Sequence, residues 1–318
     1  MKTAKIFRHL FYLFKLLRPR QWMKNLALFA AIVFGGSLFN IDALSRVILA
    51  FISFCLLASS TYIINDLVDA TKDKLHPFKK ARPIPSGEVG TQEAIFIFAL
   101  MIASAFFFAN LVGGAFIFFC FLYLGIQFLY SFIFKSIEIF DIFFIAAGYI
   151  LRVLAGETLV DYHLSVWLLL TTISLSLFLA IGKRRAELTL LKNYTGARVV
   201  EIRQSLSHYS EPLLDVYTVM FATATAIFYS LFTFLENPGG IRLNLDILMP
   251  DFLPGFLHRK WLMITIFPVL YGIMRYLQDI YEKQEGESPE RVLLSDRPLL
   301  ASLIVWGLLV IFIIYFIV

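Results

Sequence analysis

The sequence predicts an all-α, polytopic membrane protein, with about nine transmembrane helices in one bundle around a polar cavity that faces the cytoplasm. Its composition supports this fold class, because 59% of the 318 residues are hydrophobic and only 16% are charged, whereas soluble domains have roughly 45–50% apolar and about 25% charged residues. Several apolar runs also reach about 20 residues, the length that an α-helix needs to cross a bilayer. A membrane β-barrel would need alternating polar and apolar residues, and stretches such as 94–110 do not alternate.

The chain begins with an interfacial segment and continues as a series of apolar runs. Residues 1–20 are basic and mixed in polarity, with no separate short apolar core before a cleavage site, so they predict an amphipathic helix at the membrane surface. No soluble or low-complexity segment interrupts the rest, which predicts a single membrane domain over residues 1–318. The predicted spans are residues 22–40, 43–64, 93–112, 114–134, 137–155, 164–182, 213–235, 260–281 and 298–318.

The distribution of positive charge predicts the orientation of these spans. If the N-terminus lies inside, 22 of the 28 Lys and Arg residues fall on the inner side and four on the outer side, while Arg152 and Arg275 lie within spans. Such an excess marks the cytoplasmic side. We therefore predict an integral protein of the inner cell membrane, with the N-terminus and the active site cytoplasmic and the C-terminus outside. The three long charged connections, residues 65–92, 183–212 and 282–297, then share one face.

An acidic cluster follows the second predicted span. Asp66, Asp69 and Asp73 are separated by three and four positions, which places all three carboxylates on one face of a helix. Like charges in this arrangement repel one another unless a cation offsets the repulsion. Mg²⁺ prefers oxygen ligands and is usually held by one or two carboxylates together with substrate phosphates. The spacing therefore predicts a Mg²⁺-diphosphate site with these three aspartates as metal ligands.

Basic side chains follow the aspartates and recur at the end of the sixth predicted span. Lys79 and Arg82 lie in a connection stiffened by prolines, from which both can reach back toward a phosphate group. The sixth span ends in three consecutive cations, residues 183–185, and Glu187 follows them. A run of cations at this place also fits a simple membrane anchor. Glu187 fits either a Mg²⁺ ligand or an ion-pair partner of Arg184.

Two of these segments carry a family resemblance. The motif Asn65-Asp66-x-x-Asp69-x-x-x-Asp73 resembles the first aspartate motif of the UbiA superfamily of intramembrane prenyltransferases. The connection that follows it, residues 73–87, is similar to the superfamily branch typified by decaprenyl-phosphate phosphoribosyltransferase. Residues 183–187 depart from the general pattern, because three cations and one Glu stand where a second aspartate motif is expected, and this departure also resembles that branch. The likeness covers most of the chain.

The resemblance implies a Mg²⁺-dependent transferase that moves a 5-phosphoribosyl group from phosphoribosyl diphosphate to a polyprenyl phosphate of the decaprenyl type and releases diphosphate. It implies that Asp66, Asp69 and Asp73 hold the metal, and that Asn65 orients these aspartates or the ribose hydroxyls. The candidate substrate-binding residues are Lys24, Lys79, Arg82, Lys135, Asp141, Lys183, Arg184, Glu187 and Arg275.

Some of the charged residues also fit structural roles. Charges within a membrane are costly and usually face a polar interior, so Asp141 and Arg275 fit either substrate contacts or a buried ion pair. Arg152 lies eleven residues beyond Asp141, about 16 Å further along a helix, which is far from a surface site. The roles of Arg152 and Arg297 are therefore left open between structure and function.

Two other functions remain as alternatives. A conventional prenyltransferase would join an isoprenoid diphosphate to an aromatic or other acceptor, and the missing second aspartate motif argues against it. A transporter or lipid-binding protein would often show internal repeats, and the sequence contains no convincing repeat. We expect the membrane and the two phosphate substrates as partners and no nucleic acid, and a homo-oligomer is compatible with the sequence.

Overall fold

The computed structural model describes residues 2–75, 79–195, 206, 208–236, 261–282 and 289–317. All regular secondary structure within these residues is helical. The α-helices are α1 (Lys2–Leu16), α2 (Ala30–Phe34), α3 (Ile41–Leu75), α4 (Thr91–Val112), α5 (Gly114–Phe132), α6 (Phe140–Glu157), α7 (Val166–Thr195), α8 (Glu211–Leu235), α9 (Ile266–Tyr281), α10 (Pro289–Ser295) and α11 (Arg297–Phe312). Short 3₁₀ segments cover Pro19–Phe29, Lys79–Ala81, Phe134–Ser136 and Trp261–Thr265, and a π-helical turn covers Ile313–Ile317.

Six helices of the described chain are long and apolar enough to cross a membrane, namely α3, α4, α5, α7, α8 and α11 extended by its π-helical turn. They correspond to the second, third, fourth, sixth, seventh and ninth predicted spans. Large apolar side chains cover their outer faces, and Phe96, Phe107 and Phe118 are all more than 60% exposed. A soluble protein rarely exposes so many large apolar groups, so these faces are suited to contact with lipid.

The other three predicted spans are helical but differ from a long apolar α-helix. The first is a 3₁₀ segment, Pro19–Phe29, followed by the five-residue helix α2, and Arg18 just before it has a left-handed backbone with φ 51°. The fifth is α6, whose 18 residues include both Asp141 and Arg152. The eighth combines the 3₁₀ segment Trp261–Thr265 with the 16-residue helix α9.

The helices pack as neighbours along the chain around an aromatic core. Helix α3 packs mainly on α4, and α7 packs mainly on α8. Phe54 of α3 is fully buried in the core that α3 forms with α4 and α5, and its ring centroid lies 5.5 Å from that of Phe116 and 5.3 Å from that of Tyr123. Helix α6 approaches the 3₁₀ segment Pro19–Phe29 closely, because Gly156 has no side chain and the carbonyl group of Leu28 fills the space where a Cβ would lie. This contact holds the first predicted span against the fifth.

Helix α1 has one face exposed and one face packed on the bundle, and its location at the membrane surface stays a prediction. Phe7, Phe11 and Phe14 are exposed, whereas Leu16 is fully buried against the end of α3 and the connection that follows it. The helix ends at Leu16, four residues before the predicted boundary at residue 20, because the chain turns at Arg18 into the 3₁₀ segment.

Candidate active site

A polar cavity of about 510 Å³ lies among the 3₁₀ segment Pro19–Phe29, α3, α5, α6, α7 and α10. Most of the side chains that the sequence predicts for the site line this cavity. They are Lys24, Asn65, Asp69, Asp73, Lys79, Arg82, Lys135, Lys183 and Glu187. The described parts of the three charged connections therefore contribute side chains to one cavity.

The three aspartates of α3 lie on one buried helix face, and each is paired with a cation. Arg82 Nη1 donates to Asp66 Oδ1 at 3.0 Å and to Asp73 Oδ2 at 2.6 Å. Lys135 forms an ion pair with Asp69, and its Nζ also lies 3.3 Å from Asn65 Oδ1. These cations reduce the repulsion that the spacing of the aspartates would otherwise produce.

Asp66 differs from the other two aspartates in its surroundings. It is 1% exposed and does not line the cavity. Arg18 forms an ion pair with it from the start of the 3₁₀ segment, and Arg82 binds the same Oδ1 atom. Asp66 thus joins α3 to the first predicted span and to the connection after α3, while Asp69 and Asp73 face the cavity.

The side chains present fit a magnesium ion that arrives with its diphosphate. Among the described residues, no group of three or more His, Cys, Asp or Glu side chains forms a metal cage by itself. Asn65, Asp69 and Asp73 nevertheless bring hard oxygen atoms to the cavity wall. Mg²⁺ is commonly held by only one or two carboxylates, with substrate phosphates and water completing its shell. The donor set is therefore suited to an ion shared between protein and substrate.

A buried network centred on Arg184 lies behind the cavity wall. Arg184 is fully buried, with Nε 2.7 Å from Asp141 Oδ2, Nη1 2.8 Å from Glu187 Oε2 and Nη2 2.9 Å from the hydroxyl of Tyr130. The Tyr209 hydroxyl also donates to Asp141 at 2.8 Å. Burial and the adjacent carboxylate of Asp141 raise the pKa of Tyr209, so this hydroxyl stays protonated. Neither Arg184 nor Asp141 lines the cavity, and their contacts join α5, α6 and α7.

Glu187 connects that network to the cavity. Its carboxylate accepts from Arg184 on one side, and Lys79 Nζ lies 2.7 Å from its Oε1 atom on the other. Glu187 is thus an ion-pair partner of Arg184, and because it also lines the cavity its other role, as a Mg²⁺ ligand, stays a prediction. Lys79 thereby joins the connection after α3 to α7.

Arg275 lies outside the cavity. Its Nη2 atom is 2.8 Å from Asp296 Oδ2, and Asp296 in turn accepts from the backbone N–H of Leu299 at 2.8 Å as the N-cap of α11. A carboxylate at a helix N-terminus satisfies a free N–H group. The described contacts of Arg275 are therefore structural ones between α9 and α11.

Glu290 and Gln21 line the cavity, and sequence reasoning assigned neither of them a role. Glu290 accepts from Gln21 and lies 3.2 Å from Lys24 Nζ. Burial alone would raise the pKa of the Glu290 carboxyl, but the charges of Lys24 and Lys183 overcome this effect and lower it. A glutamate directly after a proline is an ordinary sign of a helix start, so the sequence gives no signal that distinguishes Glu290 as a cavity residue.

An apolar groove of about 600 Å³ lies on the outer side of α5, α6 and α7. Its walls include Leu129, Phe140 and Phe143, which are all exposed on the face of the bundle suited to lipid. Phe144 lines both the groove and the polar cavity. Phe144 therefore lies between the groove and the cavity.

Comparisons with known proteins agree on one family. The family model described as the UbiA prenyltransferase family matches residues 26–235. The chain is 34% identical over 298 residues to a decaprenyl-phosphate phosphoribosyltransferase of Mycolicibacterium smegmatis, covering 92% of this chain and 89% of the relative. It is also 34% identical to the enzyme of the same name from Corynebacterium glutamicum, with 95% and 86% covered. The solved structure of a UbiA homolog from Archaeoglobus fulgidus bound to DMAPP and Mg²⁺ has a TM-score of 0.68 at 18% identity, over 94% of this chain and 98% of that one, and shows a shared fold.

Proposed function

The chain belongs to the UbiA prenyltransferase family, and we propose that it transfers a 5-phosphoribosyl group from phosphoribosyl diphosphate to a polyprenyl phosphate. The observation that carries this proposal is the character of the two cavity walls. Helix α3 supplies the acidic wall with Asp69 and Asp73, whereas α7 supplies Lys183 and one carboxylate, Glu187, which is paired with Arg184 and Lys79. One metal-diphosphate and further phosphate groups fit such a cavity better than one prenyl diphosphate does. Relatives with this activity in their names match nearly the whole chain.

The reaction requires one bond to form and one to break at the anomeric carbon of the ribose. An oxygen of the lipid phosphate attacks this carbon, and the bond to the diphosphate oxygen breaks, with the electron pair leaving on diphosphate. The acceptor phosphate is already an anion, so no general base is needed. Bound Mg²⁺ would stabilise the charge that develops on the leaving diphosphate. Asn65, Asp69 and Asp73 are the side chains that would hold it.

The cations of the acidic wall have a second role in this proposal. Without substrate, Arg82 and Lys135 are paired with the aspartates. In the substrate complex these two side chains would bind diphosphate oxygens in place of the carboxylates, for which Arg is suited by its bidentate geometry. Lys79 also lines the cavity, where it is paired with Glu187, and it would bind the same diphosphate. Substrate positioning and charge stabilisation, rather than proton transfer, then account for catalysis.

We further propose that the bundle crosses the inner membrane nine times as a single domain. Three predicted spans are short or charged, and they pack among the six apolar helices: α6, α9 and the stretch from Pro19 to Phe34. The charge asymmetry of the sequence favours an odd number of crossings, with a cytoplasmic N-terminus and cavity. Helix α1 would then lie at the inner surface, with Phe7 and Phe11 in the lipid.

The acceptor lipid needs a path from the bilayer to the cavity. We propose that the apolar groove on α5, α6 and α7 holds the part of the isoprenoid chain next to the phosphate. The groove faces the lipid and shares Phe144 with the cavity, so a chain lying in it would have its phosphate end at the cavity wall.

The direct test is incubation of the purified protein with phosphoribosyl diphosphate, Mg²⁺ and polyprenyl phosphates of several lengths, followed by mass analysis of the lipid. The expected product is the acceptor lipid plus one phosphoribosyl group, and a chelator should abolish its formation. A parallel reaction contains a prenyl diphosphate and an aromatic acceptor. Release of diphosphate in that reaction, with none from phosphoribosyl diphosphate, would reject the proposal.

A further inference from the structure

We propose that the inner part of the cavity is a separate subsite for a phosphate monoester, formed by Lys24, Arg152 and Lys183. This inference rests on the proposed function, in which both substrates carry such a group: the 5-phosphate of the ribose donor and the phosphate of the acceptor lipid. It adds a second anion site, independent of metal, to the metal-diphosphate site on the acidic wall.

Arg152 is the first reason. It is 3% exposed and lies in the middle of α6, yet it takes part in no ion pair within the part of the chain that the structure describes. Its hydrogen-bond acceptors are neutral: Asn25 Oδ1 at 2.6 Å, the Tyr123 hydroxyl at 2.9 Å and the carbonyl of Gly148. A charge at membrane depth is costly and is usually balanced by a partner. Because Arg152 lines the cavity, an anion in the cavity is positioned to balance it.

Lys24 lies beside Arg152 on the same aromatic ring. Lys24 Nζ is 5.7 Å and Arg152 Cζ is 6.0 Å from the centroid of Tyr149. Both side chains line the cavity, as does Tyr149. Two cations on one ring repel each other, so the arrangement is favourable only when negative charge lies nearby.

Lys183 adds a third positive charge. It lines the cavity from α7 and makes no hydrogen bond or ion pair with any residue that the structure describes. Glu187, four residues further along α7, is already paired with Arg184 and Lys79. An amine without a partner inside a polar cavity is suited to bind an anionic ligand.

The charge balance favours a phosphate monoester. Among the described carboxylates, Glu290 is the one paired with this group of cations, through Lys24 at 3.2 Å. Three cations and one carboxylate leave a net charge of about +2, and a phosphate monoester carries about −1.5 to −2 at pH 7. On the acidic wall, by contrast, Asp66, Asp69 and Asp73 already balance the nearby cations, so a diphosphate there needs Mg²⁺. The two anion sites therefore differ in their need for metal.

The test measures binding without metal and without turnover. The purified protein in lipid nanodiscs is titrated with ribose 5-phosphate and, separately, with farnesyl phosphate, in the presence of a metal chelator. Lys183→Met and Arg152→Met are each expected to weaken the binding of at least one ligand by about tenfold or more, as expected for a lost hydrogen bond to a charged group. Arg152→Lys keeps the positive charge and should bind more tightly than Arg152→Met. This comparison distinguishes an effect of the lost charge from an effect of altered packing.

Arg185→Met is the matched control. Arg185 is two residues from Lys183 on the same helix, but it pairs with Asp215 at 2.7 Å and Glu211 at 3.1 Å on α8 and does not line the cavity. Its substitution should leave both affinities unchanged, and thermal unfolding of every variant verifies the fold. An equal loss in Arg185→Met, unchanged binding in both cavity variants, or no binding by the wild type would each overturn the subsite.

The two ligands identify the source of the phosphate. Loss of ribose 5-phosphate binding alone assigns the subsite to the donor, and loss of farnesyl phosphate binding alone assigns it to the acceptor lipid. The transfer assay decides the proposed function separately. Wild-type transfer with unchanged binding in the cavity variants rejects the subsite and keeps the function, whereas absent transfer with the expected binding losses rejects the function and keeps the subsite.

Discussion

Asp69 and Asp73 face the cavity, while Asp66 is buried behind them between Arg18 and Arg82. All three have the spacing of metal ligands, but their surroundings separate them into two kinds. A carboxylate that faces the substrate acts mainly on the reaction. Asp66, which binds two arginines from other segments, acts on the fold as well, and its removal leaves Arg18 without its ion-pair partner and Arg82 with Asp73 alone.

This difference leads to a prediction for single amide substitutions of the three aspartates. Asp69→Asn and Asp73→Asn should each lower the rate of phosphoribosyl transfer by about 100-fold or more, because a lost metal ligand removes several kcal/mol of charge stabilisation, while the unfolding temperature changes little. Asp66→Asn should lower both the rate and the unfolding temperature. Transfer assays at increasing Mg²⁺ concentration, together with thermal unfolding in detergent, measure both effects. Full activity of Asp69→Asn and Asp73→Asn would contradict the metal assignment.

Arg184 provides a second prediction at this scale. The sequence predicts that it binds substrate phosphate, but its contacts to Asp141, Glu187 and Tyr130 are all within the protein. Arg184→Gln should therefore destabilise the fold by about 3–5 kcal/mol, since it removes the cation that is paired with the buried carboxylate of Asp141 and leaves Glu187 with Lys79 alone. Tyr209→Phe, which removes one hydrogen bond to Asp141, is the milder comparison at about 1 kcal/mol. A stable Arg184→Gln protein with only a raised KM for phosphoribosyl diphosphate would favour the phosphate role instead.

The sequence could predict which residue types form the acidic wall, but not their partners. Helical spacing alone places Asp66, Asp69 and Asp73 on one face. Lys135 reaches Asp69 across 66 positions of the chain and Glu290 reaches Gln21 across 269. Such contacts depend on how distant helices pack, for which a single sequence contains no local signal.

At the scale of helices, α3 determines where the acidic wall lies. The sequence predicts a span that ends at residue 64, whereas the helix continues to Leu75. Hydropathy marks where apolar residues stop, and a helix continues as long as its backbone hydrogen bonds and polar contacts support it. The extra turns carry Asp66, Asp69 and Asp73 beyond the apolar part of the helix while keeping them on a rigid element.

The first and eighth spans show a limit of the same reasoning. The length and apolar content of a run do not distinguish an α-helix from a 3₁₀ segment, because both can bury apolar side chains. Pro19 begins the first 3₁₀ segment and restricts its backbone. This proline is visible in the sequence, but one proline does not specify eleven residues of 3₁₀ structure. The packing against α6 that accompanies this structure involves residues more than 100 positions away.

That packing gives a prediction for Gly156. An added Cβ would overlap the carbonyl oxygen of Leu28 and lie 2.9 Å from its carbonyl carbon. Gly156→Ala should destabilise the protein by about 1–3 kcal/mol, as overpacking against a backbone usually does. Gly307→Ala is the matched control, because no atom lies within 4 Å of its added Cβ, and it should be neutral or slightly stabilising. Thermal unfolding in detergent measures both, and equal stability of the two variants would contradict the close contact.

The apolar groove gives a prediction that affects one substrate only. Ala147 lines the groove on α6, so Ala147→Leu should fill part of the groove and raise the KM for polyprenyl phosphate several-fold. A change of one methylene group in an apolar pocket alters the binding free energy by about 1–3 kcal/mol. The KM for phosphoribosyl diphosphate should not change. Gly125→Leu adds similar bulk on the exposed face of α5, where an added Cβ has no neighbour, and should have no effect. An equal rise for both substrates, or for both variants, would argue against the groove as the lipid site.

At the scale of the whole molecule, the sequence predicts the family and the membrane bundle better than any single contact. Composition and the motif around Asn65 identify the family, and the match over residues 26–235 confirms that prediction. Six of the predicted spans have helices of suitable length and composition. The direction in which the bundle crosses the membrane depends on the long-range balance of Lys and Arg, which the fold itself does not report, so orientation stays a prediction.

Orientation is open to a direct measurement because Cys55 and Cys120 are both buried free thiols, so the native protein should give little background with a thiol reagent. Ser86 is exposed in the connection after α3, and His163 is exposed in the connection before α7. With a cytoplasmic N-terminus, a membrane-impermeant maleimide added to intact cells should label His163→Cys and not Ser86→Cys, and both should react after the cells are opened. Labelling of Ser86→Cys alone would reverse the orientation, and labelling of both from outside would mean that an even number of crossings separates them, against the nine-span bundle.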